Sequence, residues 1–302
     1  MTRKLRANLL LLLTALIWGV AFVAQDVAMD HVQPFTFNGA RMLLAAFALL
    51  PVVYFQERKQ KAALPQTQEA AATSQGRSSL WLAGFLCGLM LFLGSSFQQM
   101  GIQQTSAGKA GFVTALYIVL VPLLGLFRGK RVRLLLWLAV LLCAVGLFLL
   151  CVTESLTIGL GDIYLLLCAL CFAGHILVID HFAPRVNCLR MSCLQFFICS
   201  ILSLAATALL EQPTWASLSQ AIVPILYAGV LSGAVGYTLQ IIAQRDTDPT
   251  VASLILCLES VFAVLASWLL QGSLLSLREL SGCGLMFVGI LLAQLPERPA
   301  PR

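Results

Sequence analysis

Seven side chains in this sequence have the type and the setting to bind or move a small molecule: Glu259, Tyr117, Lys109, His175, Trp18, Phe172 and Gln98. Glu259 is the sharpest of them. It stands ten residues into the apolar run that opens at Pro249, which is about 15 Å along a helix rising 1.5 Å per residue. A carboxylate at that depth in a bilayer is expensive and faces a cavity or a partner. Two roles fit it: a carrier of protons or of substrate charge, or a protonated or paired acid that pins its helix to a neighbour. Tyr117, at similar depth in an earlier run, offers a hydroxyl to substrate or to Glu259, or packs with that hydroxyl satisfied. Lys109, about one turn into the same run, is placed to draw an anionic group to a cavity mouth or to snorkel to the interface. Trp18 and Phe172 suit an aromatic lining on which a cationic or aromatic substrate would stack, or plain helix packing. Gln98, Gln99 and Gln240 suit polar lining or interhelical hydrogen bonds. His175 shares a helical side with Cys168 and Cys171. A closed metal site takes four ligands and no further ligand motif stands nearby, so packing, substrate contact or proton relay are its readings. Neither a metal nor a cofactor is expected. Arg41, near Asp26, Asp30 and His31, reads as a member of a structural ion pair or as a gate, and Asp162 as a helix cap or interface residue.

The elements that must position these residues are set by composition. Hydrophobic residues make up 60% of the 302-residue chain and charged residues 11%, against about 25% charged in soluble domains. A span needs roughly 20 apolar residues, and ten runs qualify: 8–27, 36–55, 79–98, 106–127, 132–150, 161–179, 189–210, 219–242, 249–270 and 278–295. Little remains for a soluble module, which argues against enzymatic chemistry outside the membrane. Arg3, Lys4 and Arg6 before the run Leu9–Ala24 resemble a signal peptide, but the run is long and no clear small-x-small site follows, so it reads as an uncleaved first span. Loops are short, except 56–78, which reads as a mobile cytoplasmic linker. With the N-terminus cytoplasmic, every Lys and Arg except Arg41, Lys109 and Arg278 falls on the cytoplasmic side. That bias predicts a multi-pass protein of the cell membrane, plasma or inner, with both termini cytoplasmic, and it accounts for the net charge of +6 without nucleic acid. The ten cysteines lie almost entirely in spans or at cytoplasmic ends, as packing residues rather than a disulfide framework.

The spans repeat. LLLTALIWGVAFVAQD (11–26) aligns without a gap on LLLCALCFAGHILVID (165–180), placing Trp18 opposite Phe172. TSAGKAGFVTALY (105–117) aligns on TDPTVASLILCLE (247–259), placing Leu116 opposite Leu258, Tyr117 opposite Glu259 and Lys109 opposite Val251. Spans 3 and 8 each carry a small-x3-small pair, Gly84 with Gly88 and Gly229 with Gly233. An odd number of spans per copy inverts one copy against the other. The expected fold is therefore an all-α membrane protein, with ten transmembrane helices in two inverted five-helix repeats (1–150 and 151–302) around a central cavity, and the substrate site where the halves meet. Asp248 before Pro249 reads as an N-cap with Pro at N1. Pro122 and Pro224 are expected to kink spans 4 and 8, as hinges or as fixed packing geometry.

These residues also resemble a known family. ALIWGVAF (15–22), PFTFNGARMLLAA (34–46) with its Arg41, TSAGKAGFVTALYIVLVPLLG (105–125), GDIYLLLCAL (161–170) and PTVASLILCLESVFAVLASWLL (249–270) are similar to EamA-type members of the drug/metabolite transporter superfamily. The resemblance touches all of the chain but the linker and tail. It implies secondary transport, commonly export of amino acids, other metabolites or toxic compounds. Members usually read Glu-Pro where this chain has Glu259-Ser260, a departure that predicts a straighter span 9 at that point. The partners implied are a small-molecule substrate, the lipid bilayer and protons as a coupling ion; monomer and homodimer both remain open. Two other classes stay in view. A receptor or scaffold would need neither inverted repeats nor a midplane carboxylate. A membrane-embedded lipid-modifying enzyme would need a nucleophile, an acid/base pair or a metal, and the sequence has no HExxH, GxSxG or paired acidic cluster; nor has it a Walker motif.

Overall fold

The computed structural model describes residues 2–63, 73–105, 107–129, 132–151, 159–271 and 276–295; side chains at 60–63, 73–77, 107–109, 267, 270 and 271 lie outside that description. Ten helical stretches among the described residues are long and apolar enough to cross a membrane: Arg3–Met29, Pro34–Lys59, Ser78–Ile102, Ala110–Phe127, Leu134–Cys151, Leu160–Phe182, Cys188–Leu210, Ile222–Gln244, Pro249–Ala266 and Leu277–Gln294. They are numbered here as spans 1 to 10. The expected linker 56–78 is shorter than the sequence suggests, because helix continues to Ala63 at the end of span 2 and resumes at Thr73 before span 3. Residues 64–72 lie outside the description.

Helix ends follow their sequence signals. Asp248 accepts from the Thr250 and Val251 amides at 2.8 and 3.4 Å ahead of Pro249, which satisfies donors that a helix start leaves orphaned. Asp162 is the third residue of its helix rather than the cap, and its Oδ2 accepts from Gly159 N–H at 2.7 Å. One cap joins two spans. Glu211, just past span 7, accepts from the Phe35 and Thr36 amides at 2.8 and 2.7 Å and from the Thr36 hydroxyl at 2.6 Å, so it caps the start of span 2. At the other end of the same pair, Arg190 meets Glu57 at 2.8 Å.

The main span pairings are 5 with 10, 2 with 7, 3 with 6 and 7, 1 with 8 and 9, 2 with 8, and 4 with 6. Replacing each span by the one five places away maps this set onto itself. Apolar burial does not drive such contacts in lipid, so close packing of small residues must. An added Cβ on Gly146 would lie 2.7 Å from the Gly282 carbonyl oxygen, and one on Gly282 would lie 2.6 Å from the Gly146 carbonyl oxygen; this seam joins spans 5 and 10. Gly84 and Gly88 press on Leu194 and Ile198 of span 7, and Gly229 and Gly233 on Leu44 and Ala45 of span 2. Both small-x3-small pairs therefore pack within one chain. The outward faces carry Leu12, Leu16, Phe47, Phe85, Leu141 and Ile201, all exposed, as a hydrocarbon-facing surface would.

Spans 4, 8 and 9 are not plain α-helices, and here the structure departs from expectation. Span 4 is interrupted at Leu116, between Ala107–Ala115 and Tyr117–Phe127. Span 9 is interrupted at Cys257 and Leu258, between Pro249–Leu256 and Glu259–Gln271. At each interruption the backbone tightens to i→i−3 bonds: Leu116 N–H to Val113 O at 3.2 Å, and Leu258 N–H to Ile255 O at 3.2 Å. The local dihedrals agree, φ −59°, ψ −8° at Leu116 and φ −62°, ψ −12° at Cys257. Span 9 is thus broken beside Glu259, where Glu259-Ser260 predicts a straighter span. The two prolines thought to kink their spans do not mark the breaks. Pro122 lies within the unbroken piece Tyr117–Phe127, and Pro224 lies in the short first piece Ile222–Leu226 of span 8, where a missing N–H is tolerated. The irregularity in span 8 comes afterwards, as a π-helix over Tyr227–Tyr237, a wide-turn geometry that is rare and frequent at functional sites.

Candidate functional site

The three irregular spans meet spans 1, 2, 3 and 6 around one cavity. It is narrow, with a free volume of about 40 Å³, well below the roughly 300–1,000 Å³ of small-molecule sites, so spans must part before a substrate can fit. Six of the seven residues singled out in the sequence line it: Glu259, Tyr117, His175, Trp18, Phe172 and Gln98. The seventh, Lys109, lies on the helix Ala107–Ala115, and its side chain is outside the described ones.

The two breaks set the chemistry. Tyr117 and Glu259 are each the first residue of the helix piece after the interruption, and they occupy aligned positions of the sequence repeat. The Tyr117 hydroxyl donates to Glu259 Oε1 at 3.1 Å. Both are buried, at 3% and 6% exposure, so the bond is made out of water, where leaving either partner unpaired costs most. Gly19 holds span 1 against this junction: an added Cβ would lie 2.5 Å from Phe262 Cβ and 2.7 Å from the Glu259 carbonyl oxygen.

The aromatic wall is fixed by backbone acceptors of the π-helix. Trp18 Nε1–H donates to the Ser232 carbonyl at 3.1 Å, and the Trp18 ring lies 4.6 Å from the Tyr237 ring, tilted by 52°. Gly236 admits this approach, since an added Cβ there would sit 2.7 Å from Trp18 Nε1. The Thr14 hydroxyl is shared between the Leu10 carbonyl at 2.9 Å and the Gly236 carbonyl at 3.3 Å. Phe172 lies across the cavity lining from span 6. His175 is 3.0 Å from Gln195 Oε1 through Nε2 and stands edge-on to Tyr237 at 5.9 Å. Cys168 contacts Thr114 rather than His175. Among the described residues no three His, Cys, Asp or Glu side chains gather as metal ligands.

Arg41 belongs to this cavity, and its expected ion pair does not form. Asp26 and Asp30 are exposed, whereas Arg41 is buried and lines the cavity beside Gln25. Its Nε donates to Asn38 Oδ1 at 3.0 Å and its Nη1 to Gln25 Oε1 at 3.1 Å. Gln99 donates to the same Gln25 oxygen. Sequence reading missed Gln25, Ser232 and Tyr237 as lining residues. Tyr237 carried one usable signal, a hydroxyl-bearing ring inside a run of small and apolar residues. Gln240, named as possible lining, does line the cavity, and its Oε1 has no partner among the described residues.

Known proteins are similar to this chain. A solved crystal structure superposes with a TM-score of 0.74 at 18% identity, covering 95% of this chain and 96% of its own; at that identity the likeness speaks for the fold alone. An uncharacterized transporter of Archaeoglobus fulgidus is 31% identical over 299 residues, 97% of this chain and 87% of its own length. The model of the EamA-like transporter family matches residues 5–152 and 159–295. Ten membrane-length helices, a lined cavity among them, and a family match over nearly the whole chain lead to one conclusion: this multi-pass membrane protein belongs to the EamA-like transporter family.

Proposed function

We propose that the protein is a secondary active transporter that exports small metabolites, amino acids, amines or related compounds, across the cell membrane by alternating access. In this reading residues 1–150 and 151–302 are the two inverted halves, both termini are cytoplasmic, and the substrate leaves chemically unchanged. The observation that carries it is the pairing of Tyr117 and Glu259 at the breaks of spans 4 and 9 inside one cavity. Discontinuous helices at a repeat interface are the usual place for substrate and coupling-ion sites. A helix broken at the midplane also gives each half-span a joint about which it can turn. The self-mapping span pairings support two related halves.

Glu259 is the coupling residue of this reading. It takes up a proton as the cavity opens to one side and releases it on the other, and Tyr117 holds the carboxylate in place between those events. The aromatic wall of Trp18, Phe172 and Tyr237 would shield the apolar part of a substrate. Purified protein in proteoliposomes, loaded with radiolabelled amino acids, amines, organic acids, nucleosides or sugars, tests the proposal. Efflux of an unmodified compound that accelerates on imposing a pH gradient is expected. Absence of flux for every class, or recovery of a chemically altered compound, would overturn it.

A further inference from the structure

Two side chains of opposite formal charge, Arg41 and Glu259, line the same cavity, and among the described residues each is bonded to neutral groups only. The ion pairs between described residues involve Arg190 with Glu57 and Arg245 with Asp246, all outside the cavity. Arg41 is 3% exposed, and its guanidinium carbon stands 5.0 Å from the centroid of the Phe37 ring. A guanidinium stays charged in proteins and has five N–H donors in a rigid fork. Here Nε and Nη1 go to Asn38 and Gln25, both amide oxygens, and Nη2 has no bond to a described residue. A buried charge without a counter-ion is among the most destabilising features a membrane protein can hold, and intramembrane arginines normally face a partner or a pathway.

The surroundings orient this group instead of neutralising it. Gln25 Oε1 accepts from both Arg41 and Gln99, and Asn38 is on the same helix three residues earlier. The fork is therefore held from spans 1 and 2, with Gln99 of span 3 holding Gln25, and Gln25 and Gln98 add neutral amides to the lining. Such a fork matches the two oxygens of a carboxylate or phosphate.

We propose that the transported molecule carries an oxyanion, a carboxylate or a phosphate, and that Arg41 is the residue that binds it. The inference rests on reading the cavity as the cargo site. It narrows the substrate class: simple amines and neutral sugars lack the group that Arg41 requires. Gln25 is a positioning residue for the fork, and Glu259 remains available for a proton or for a cationic group on the same substrate.

The test uses the purified full-length protein in detergent and thermal stabilisation by matched probes. Amino acids and organic acids are compared with their amides, and inorganic phosphate and a sugar phosphate with the free sugar, so the carboxylate and phosphate arms are read separately. An acid or phosphate that stabilises the wild type, while its neutral counterpart does not, is expected. Arg41→Gln should weaken that binding about 10–100-fold, as loss of a charge-assisted bond does, and Arg41→Lys, which keeps the charge without the fork, should fall between. A purely structural Arg41 would lower the stability of the ligand-free protein and leave the acid-to-amide ratio unchanged. The proposal is overturned if neutral counterparts bind as tightly as acids, if Arg41→Gln binds acids like the wild type, or if no oxyanion-bearing probe binds. The comparison on the wild type stands even where the Gln variant fails to fold. Proteoliposome flux separates the two readings. Acids that bind through Arg41 but never cross would sink transport and leave the anion site. Flux of neutral compounds with no acid preference would do the reverse.

Discussion

Tyr117→Phe removes one oxygen atom and isolates one hydrogen bond. In the wild type the Tyr117 hydroxyl donates to Glu259 Oε1 at 3.1 Å between two buried side chains. Leaving a buried acceptor unsatisfied costs about 1–3 kcal/mol in soluble proteins. Interhelical bonds inside membranes measure lower, about 0.6 kcal/mol on average and up to about 1.7. The Tyr117–Glu259 bond belongs at the upper end, because the acceptor is a carboxyl group and both residues begin a helix piece whose previous turn is already broken. A loss of about 1–2 kcal/mol corresponds to a fall in Tm of roughly 2–8 °C at 2–4 °C per kcal/mol. The assay is thermal unfolding in detergent of the wild type, Tyr117→Phe, Glu259→Leu, which has no acceptor, and the double variant. The two single losses should not add: with either partner gone the other has less to lose, giving a coupling of about 0.5–2 kcal/mol. A Tyr117→Phe protein melting with the wild type, or additive single losses, would refute the claim that this bond ties span 4 to span 9.

Other regions of the fold make separate predictions. Gly146→Ala places a Cβ 2.7 Å from the Gly282 carbonyl oxygen and 2.7 Å from Met286 Cγ, so spans 5 and 10 must part, at a cost of about 1–3 kcal/mol for overpacking; Gly282→Ala strains the same seam, and the double variant should lose less than the sum when melted. Glu211→Ala removes three bonds to Phe35 and Thr36 and should lower stability by about 0.5–2 kcal/mol, as lost caps do, while leaving ligand affinity within twofold (about 0.4 kcal/mol) in a binding titration. Gly236→Val pushes against Trp18 Nε1 and should reduce ligand affinity more than it reduces Tm; equal effects on both would show that the Trp18 contact only packs.

Much of this was legible in the sequence because a bilayer imposes a simple rule. Apolar runs of the right length had to be spans, and all ten appear, with ends shifted by a few residues. Glu259, which lines the cavity, was legible as a candidate because a carboxylate among Leu, Ile and Val stands out, and Tyr117 because the repeat alignment set it opposite Glu259. What the sequence hid was the backbone. The breaks at Leu116 and at Cys257–Leu258 carry no Gly or Pro, so no local propensity announces them; packing between spans holds them. The π-helix over Tyr227–Tyr237 is equally silent, since wide turns depend on partners such as Trp18 and Thr14 reaching its carbonyls. Arg41 was misread for a different reason. Proximity in sequence to Asp26 and Asp30 suggested an ion pair, but helical rotation turns those acids outward and the arginine inward. Lys109 shows a further limit, since a basic residue near a span end has two outlets that spacing alone does not separate.

The account stands or falls on whether Glu259 couples the cavity to protons. The decisive measurement is pH-gradient-driven flux in proteoliposomes, comparing the wild type with Glu259→Gln at matched protein content. The account predicts flux in the wild type that rises with the gradient, and a Gln variant whose residual flux ignores pH. A Glu259→Gln protein that transports at the wild-type rate with the wild-type response to pH would contradict it.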